Sequence, residues 1–339
     1  MNDVQAPTVS PQHGGCGRPK LFSTLAALAA VPVGTAIRKR MGGRHDLARA
    51  TSPTDTAEGG ASYKDAPTKS VTVRGARFSY RQLGPDTGVP VIFLSHLGGN
   101  LDNWDPRVVD GIAARRPVIT FDNRGVGASE GTAPDSIEAM ARDAIAFVRA
   151  LGFKKVDLLG FSLGGFVSQA IATQEPALVR KIILAGTGPA GGPGIADVTS
   201  VTYRDALKAF ATFSDPKEHM FFTRTPSGKS AARAFVLRLK ERTDHRDRAV
   251  AFSTVRTQMK AVKAWGSEKP ADLSLMKQPV LVADGESDHM VPTGNSYDLA
   301  RRLPNATLQI YPDAGHGGIF QFHEQFVEEA LEFLDPERK

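Results

Sequence analysis

From Lys69 onward, short apolar and β-branched runs alternate with longer stretches whose apolar positions recur at helical spacing. The runs Val91-Ile92-Phe93-Leu94, Val118–Phe121, Val156–Leu159 and Ile182–Leu184 lack the in-out polar alternation of a half-exposed strand, so each predicts a strand buried on both faces. Val280–Ala283 and Thr307–Tyr311 repeat the signature. Ser136–Leu151, Gly164–Gln174, Thr293–Arg302 and Phe322–Phe333 read as amphipathic helices between or after them. Val71–Arg74 and Arg77–Gln82, joined at Gly75, predict a leading hairpin. Strands alternating with helices of this length predict an α/β fold: a mostly parallel central sheet with helices on both faces.

The alternation breaks between Gly188 and Asp272. There Val201–Phe213, Lys229–Arg242 and Arg246–Trp265 read as helices with no strand between them, entered through the glycine-rich run Gly186–Gly194. A helical insertion after the sixth strand reads as a cap over the carboxyl ends of the strands, the edge where open α/β sheets bind ligands. The predicted division is a core of residues 66–188 and 273–339, a helical cap of residues 189–272, and a disordered N-terminal extension of residues 1–65. The extension holds one apolar stretch, Leu21–Ile37, flanked by Arg18, Lys20 and Arg38-Lys39-Arg40, which is the plan of a targeting segment. Pro32 and Gly34 interrupt it, and it is shorter than the roughly 20 residues of a spanning helix. The expectation is a cytoplasmic protein with no stable membrane span, the alternative being export or anchoring through residues 18–40.

Composition changes little in this picture. A hydrophobic content of 41% with 23% charged residues suits a globular chain of 339 residues. The net charge of +6 invites a nucleic-acid reading, but residues 1–60 carry seven Lys/Arg against four Asp/Glu, so half of the excess lies in the extension. With no basic stripe interleaved with aromatics, nucleic acid is not an expected partner. The single cysteine, Cys16, excludes an internal disulfide and a cysteine-based metal cluster. Gly125-Val126-Gly127 meets Glu130 where a dinucleotide fingerprint needs glycine, Gly228-Lys229-Ser230 has Thr223 where a P-loop needs one, and no H-E-x-x-H occurs. Neither cofactor nor metal is expected.

The candidate chemistry centres on Gly160-Phe161-Ser162-Leu163-Gly164-Gly165, set between the strand Val156–Leu159 and a predicted helix. A serine on a sharp strand-to-helix turn needs small neighbours, which Gly160 and Gly164 supply, and the helix amino end favours developing negative charge. A serine hydroxyl needs a base. Of the eight histidines, His316 alone sits on a glycine-rich loop after the last predicted strand. An acid must then orient the imidazole. Asp288, well into the loop Gly285–Pro292, is preferred, with Asp284 and Glu286 as runners-up. An oxyanion hole needs two backbone N–H donors. Leu163 supplies one; the loop Ser95-His96-Leu97-Gly98-Gly99-Asn100 supplies the other, where anchoring on Trp104 selects Leu97, which is preferred, and anchoring on His96 would select Gly98.

These pieces, with Asp122-Asn123-Arg124-Gly125-Val126-Gly127-Ala128-Ser129 and Ala314-Gly315-His316-Gly317, resemble the α/β-hydrolase superfamily across residues 69–334. The order serine, acid, histidine along the chain is the one found there. The elbow Gly160–Gly165 is similar to cofactor-free haloperoxidases and related esterases, and Leu97-Gly98 through Trp104-Asp105-Pro106 is similar to 3-oxoadipate enol-lactonases. The resemblance implies a serine hydrolase acting on a small acyl substrate, an ester or lactone, through an acyl-enzyme. Perhydrolase or haloperoxidase-like chemistry, carbon–carbon bond hydrolysis, and a small-molecule receptor reusing the fold are the alternatives; a homo-oligomer is compatible with each. Arg124 is expected to anchor loops, Trp104 and Trp265 to pack, and Phe210, Phe213, Phe221, Phe222, Phe235 and Phe252 to offer apolar lining for an acyl pocket.

Overall fold

The computed structural model describes residues 62–335. The chain before them, with Cys16 and the stretch Leu21–Ile37, lies outside the described residues. Among the described residues no helix is long and apolar enough to cross a membrane.

The hairpin of β1 (Lys69–Val73) and β2 (Ala76–Leu83) turns on Arg74 and Gly75, both at positive φ. There follow β3 (Val91–Leu94), α1 (Pro106–Ala113), β4 (Val118–Phe121), α2 (Ile137–Ala150), β5 (Val156–Phe161), α3 (Leu163–Gln174) and β6 (Val179–Ala185). Next come α4 (Val198–Thr212), α5 (Pro216–Met220), α6 (Pro226–Arg238) and α7 (Phe252–Ser267) with no strand among them. The alternation resumes with β7 (Val280–Gly285), α8 (Gly294–Arg302), β8 (Ala306–Tyr311), α9 (Gly318–Gln321) and α10 (His323–Leu334). The sheet order is β1-β2-β4-β3-β5-β6-β7-β8. The β1/β2 and β2/β4 pairs are antiparallel, and the rest are parallel.

The unbroken apolar runs have the predicted cause. Ile92, Leu94, Leu158, Ile182 and Val282 pack into a core layer with α2 and α3, while Val91, Phe93, Leu159, Ile183 and Leu281 pack into a second layer with α1 and α10. Each strand therefore buries both rows of side chains, which leaves no position for polar alternation. Strand order reverses beside β3: the chain passes from β3 to β4 on one side, then returns to β5 on the other. Loops leaving the carboxyl ends of β3 and β5 diverge there, and the crevice between them is where a ligand fits.

Departures from expectation sit at element ends and in short helices. Tyr63 and Ala66 are buried, and the Tyr63 hydroxyl donates to the Leu101 carbonyl at 2.5 Å. The packed chain thus starts ahead of the expected boundary at residue 66. Helix α1 was not anticipated, although Asp105 caps it and Pro106 opens it in the usual way. Helix α7 begins at Phe252 rather than at Arg246. The preceding residues are drawn to a buried carboxylate instead, the Asp247 N–H donating to Asp102 at 2.8 Å and Arg246 pairing with it at 3.4 Å.

Candidate active site

Ser162 follows β5 directly and adopts φ 57 and ψ −117, a left-handed strain that a non-glycine residue bears at a cost on the order of 1–3 kcal/mol. The neighbouring sequence makes the turn possible. A Cβ at Gly160 would collide with the Gly164 carbonyl and the Ser168 hydroxyl, and one at Gly164 would run into the Leu94 carbonyl. The elbow is pinned from β6: the Ser162 N–H donates to the Ala185 carbonyl at 2.9 Å, and the Thr187 hydroxyl donates to the Ser162 carbonyl at 2.9 Å.

The structure brings Ser162, His316 and Asp288 into one line. Ser162 Oγ lies 2.9 Å from His316 Nε2, and His316 Nδ1 lies 2.6 Å from Asp288 Oδ2. The other oxygen of Asp288 accepts from the Met290 and Val291 N–H groups at 2.7 and 3.1 Å, so the carboxylate is held by its own loop. All three residues are buried, Ser162 only 8% exposed. Phe161 and Phe221 pack against the His316 ring with centroids 5.0 and 5.6 Å away, which makes the surroundings apolar. The His316 loop is braced from the helical segment too, the Gly317 N–H donating to the Phe221 carbonyl at 2.7 Å.

The two runner-up acids have other tasks. Asp284 takes hydrogen bonds from the Gly285 N–H at 2.8 Å and the Ser296 hydroxyl at 2.7 Å. Burial, and then the Asp288 carboxylate beside it, pushes its carboxyl well above the usual range. Glu286 accepts from the Asp313 N–H at 3.2 Å, on the outside of the loop that carries His316.

Among the described residues the backbone N–H groups of Leu97 and Leu163 take no partner, whereas the Gly98 N–H donates to Gln258 Oε1 at 2.8 Å. Gly98 is thereby occupied and Leu97 is left free. His96 lies beneath the same loop, between Phe161 and Phe221. Burial pushes its imidazole down to about 3, so the ring is neutral. Its Nδ1 stands 2.9 Å from the Leu97 carbonyl; a carbonyl only accepts, so Nδ1 carries the proton.

Arg124 forks onto Asp143 of α2 at 2.7 and 2.9 Å, a structural anchor. Trp104 packs edge-on to Phe93, and Trp265 stacks on Phe166. The expected phenylalanine lining needs correction: Phe221, Phe222 and Phe235 are buried, but Phe210, Phe213 and Phe252 face solvent. Two polar contacts escaped the sequence reading. His289 Nε2 meets Asp205 of α4 at 2.6 Å, and Gln258 meets the loop after β3. For Gln258 a signal existed, since it is a polar residue on the stripe Thr254, Ala261, Val262 and Trp265 that α7 turns inward.

Residues 89–322 match the family model described as alpha/beta hydrolase fold. A candidate carbamate hydrolase from Caulobacter sp. (strain K31) is 30% identical, with 73% of this chain and 91% of that one covered. A pimeloyl-[acyl-carrier protein] methyl ester esterase from Nitrosomonas europaea is also 30% identical, over 72% of this chain and 93% of its own. Among solved structures, an alpha/beta hydrolase fold protein from Chitinophaga pinensis is 39% identical with a TM-score of 0.78, covering 82% of this chain and all of that one.

Proposed function

The chain belongs to the alpha/beta hydrolase family and is an enzyme, and on that premise we propose that it cleaves a small carboxylic ester or lactone through an acyl-enzyme on Ser162. The observation that carries this reading is the unbroken hydrogen-bond line from Ser162 Oγ through His316 to Asp288. Ser162 Oγ attacks the acyl carbon while its proton passes to His316 Nε2. The carbonyl oxygen becomes an oxyanion that the Leu97 and Leu163 N–H groups receive, helped by the amino end of α3. Collapse expels the alcohol, which takes the proton from His316. Water then repeats the sequence with His316 as base, releasing the acid and restoring the serine. Asp288 accepts from Nδ1 and so keeps its proton there, which leaves Nε2 as the basic nitrogen.

The apolar rings of Phe161 and Phe221 beside His316 suit an acyl chain better than a charged group. The helices α4 to α7 act in this reading as the cap that covers the serine. The name of the Nitrosomonas europaea relative, a methyl ester esterase, supports an ester first. The experiment is turnover of a panel of esters of varied acyl length and of lactones by the purified protein and by Ser162→Ala. The substitution is expected to lower kcat by about 10⁴-fold or more with the unfolding temperature unchanged. Hydrolysis that survived it would refute the assignment.

A further inference from the structure

The peptide joining Leu97 to Gly98 is held at both ends. Its carbonyl accepts from His96 Nδ1 at 2.9 Å, and its N–H donates to Gln258 Oε1 at 2.8 Å. A peptide unit is planar, so two bonds on its opposite edges fix its rotation. The two anchors differ in origin: His96 belongs to the loop itself, whereas Gln258 stands on α7, far along the chain and outside the strand–helix alternation of the core. Gln258 is 1% exposed, and α7 is fastened at the same place by Thr254, whose hydroxyl donates to the Gly125 carbonyl at 2.9 Å. Val255 packs against Gly98, where an added Cβ would stand 3.4 Å from it.

Without the Gln258 oxygen, the half-buried Gly98 N–H would lose its protein partner. Gly98 is at φ +68, and a glycine lets the peptide before it rotate at little cost. Rotation would break the His96 bond as well and release the loop that carries the Leu97 N–H.

We infer that Gln258 is a positioning residue for acyl transfer: from α7 it fixes the Leu97–Gly98 peptide, and so makes one of the two oxyanion donors depend on α7 being seated over the site. This rests on the acyl-enzyme reading above. It assigns the helical segment a part in the chemical step as well as in covering the serine.

The test is steady-state hydrolysis of a short acyl ester by the full chain, with kcat counted per site titrated by a fluorophosphonate. Gln258→Met keeps the length and removes the acceptor. It is expected to lower kcat by about tenfold, a fraction of the 10²–10³ lost when an oxyanion donor is removed outright, with KM within about threefold. Gln258→Glu keeps an oxygen acceptor. Burial at this position disfavours the charged form, so its kcat relative to the unsubstituted protein is expected to be highest at the acid end of the activity range and to fall as pH rises and a carboxylate charge develops beside the oxyanion. That pH-dependent rescue has no counterpart in a purely structural role, and it decides the matter if Gln258→Met does not fold. An unchanged kcat in Gln258→Met, a change confined to KM, or a flat ratio in Gln258→Glu would overturn the inference and leave the acyl-enzyme reading intact. Turnover that survived Ser162→Ala would remove both.

Discussion

Strand β5 carries a buried polar residue near each end, and the two are treated in opposite ways. At the amino end Asp157 is fully buried and saturated: Arg116 donates to it at 3.0 Å, and Arg180 forks onto both of its oxygens, with Nε at 2.8 Å. Arg116 and Arg180 also donate to the Leu334 carbonyl at 3.0 and 2.8 Å, tying α10 to the strand. At the carboxyl end Ser162 sits in a strained conformation beside the free Leu163 N–H, and burial pushes the nearby strand-end carboxyl of Asp284 above its usual range. One end has its charges paired and its carboxylate fully engaged. The other keeps donors unspent and bases poised, and those are the groups a reacting ester would use. The comparison separates polar burial that holds the fold from polar burial that serves chemistry.

The comparison breaks most visibly if the carboxyl-end acids prove interchangeable. Asp288→Asn should lower kcat by about 10³–10⁴-fold, because an amide no longer enforces the required imidazole tautomer. Asp284→Asn should change kcat by less than about threefold, since Asp284 bonds the Gly285 N–H and the Ser296 hydroxyl and not His316. Kinetics on the two variants side by side check this, and equal losses would merge roles the geometry keeps apart. The amino end should answer in stability instead. Asp157→Asn leaves Arg116 and Arg180 facing a neutral group and should cost about 3 kcal/mol in urea unfolding, with kcat per folded molecule unchanged; a catalytic loss there would erase the distinction.

The smallest effect is in pH dependence. His96 is depressed from its ordinary 6.5 to about 3 by burial, so on the acid side the unfolded chain takes up a proton that the folded chain refuses. The stability it contributes is present above about 6.5 and is lost as pH falls through that value towards 3. Asp122 and Asp284, both raised by burial, have the opposite sign: their contribution favours the folded chain at low pH and is lost as pH rises through their raised values. Unfolding midpoints measured from pH 7 to pH 5 should therefore fall less in His96→Gln than in the unsubstituted protein. Parallel curves would contradict a neutral His96.

Much of this was legible in the sequence, because the physical demands are local. A strand buried on both faces cannot alternate, so β3, β4, β5 and β7 stand out as apolar runs. The elbow demands glycines two residues either side of Ser162, and His316 was separated from seven other histidines by its loop. What stayed hidden was relational. The spacing to Trp104 favours Leu97 over Gly98, but the hydrogen bond that occupies the Gly98 N–H, to Gln258 on a helix remote in the chain, was not readable. The late start of α7 follows from Asp102, a carboxylate in the loop after β3 that claims the Asp247 N–H. The exposure of Phe210, Phe213 and Phe252 depends on which face of each helix meets the core, and the weakly patterned helices α4 to α7 do not declare it.

The central claim is that Ser162 is the nucleophile. Its most direct test is intact-mass and peptide analysis after exposure to a fluorophosphonate or a slowly hydrolysed acyl ester. The account predicts one adduct per chain, on the peptide containing Ser162 and absent from Ser162→Ala. Ester turnover with no adduct, or an adduct on another residue that persists in Ser162→Ala, would contradict it.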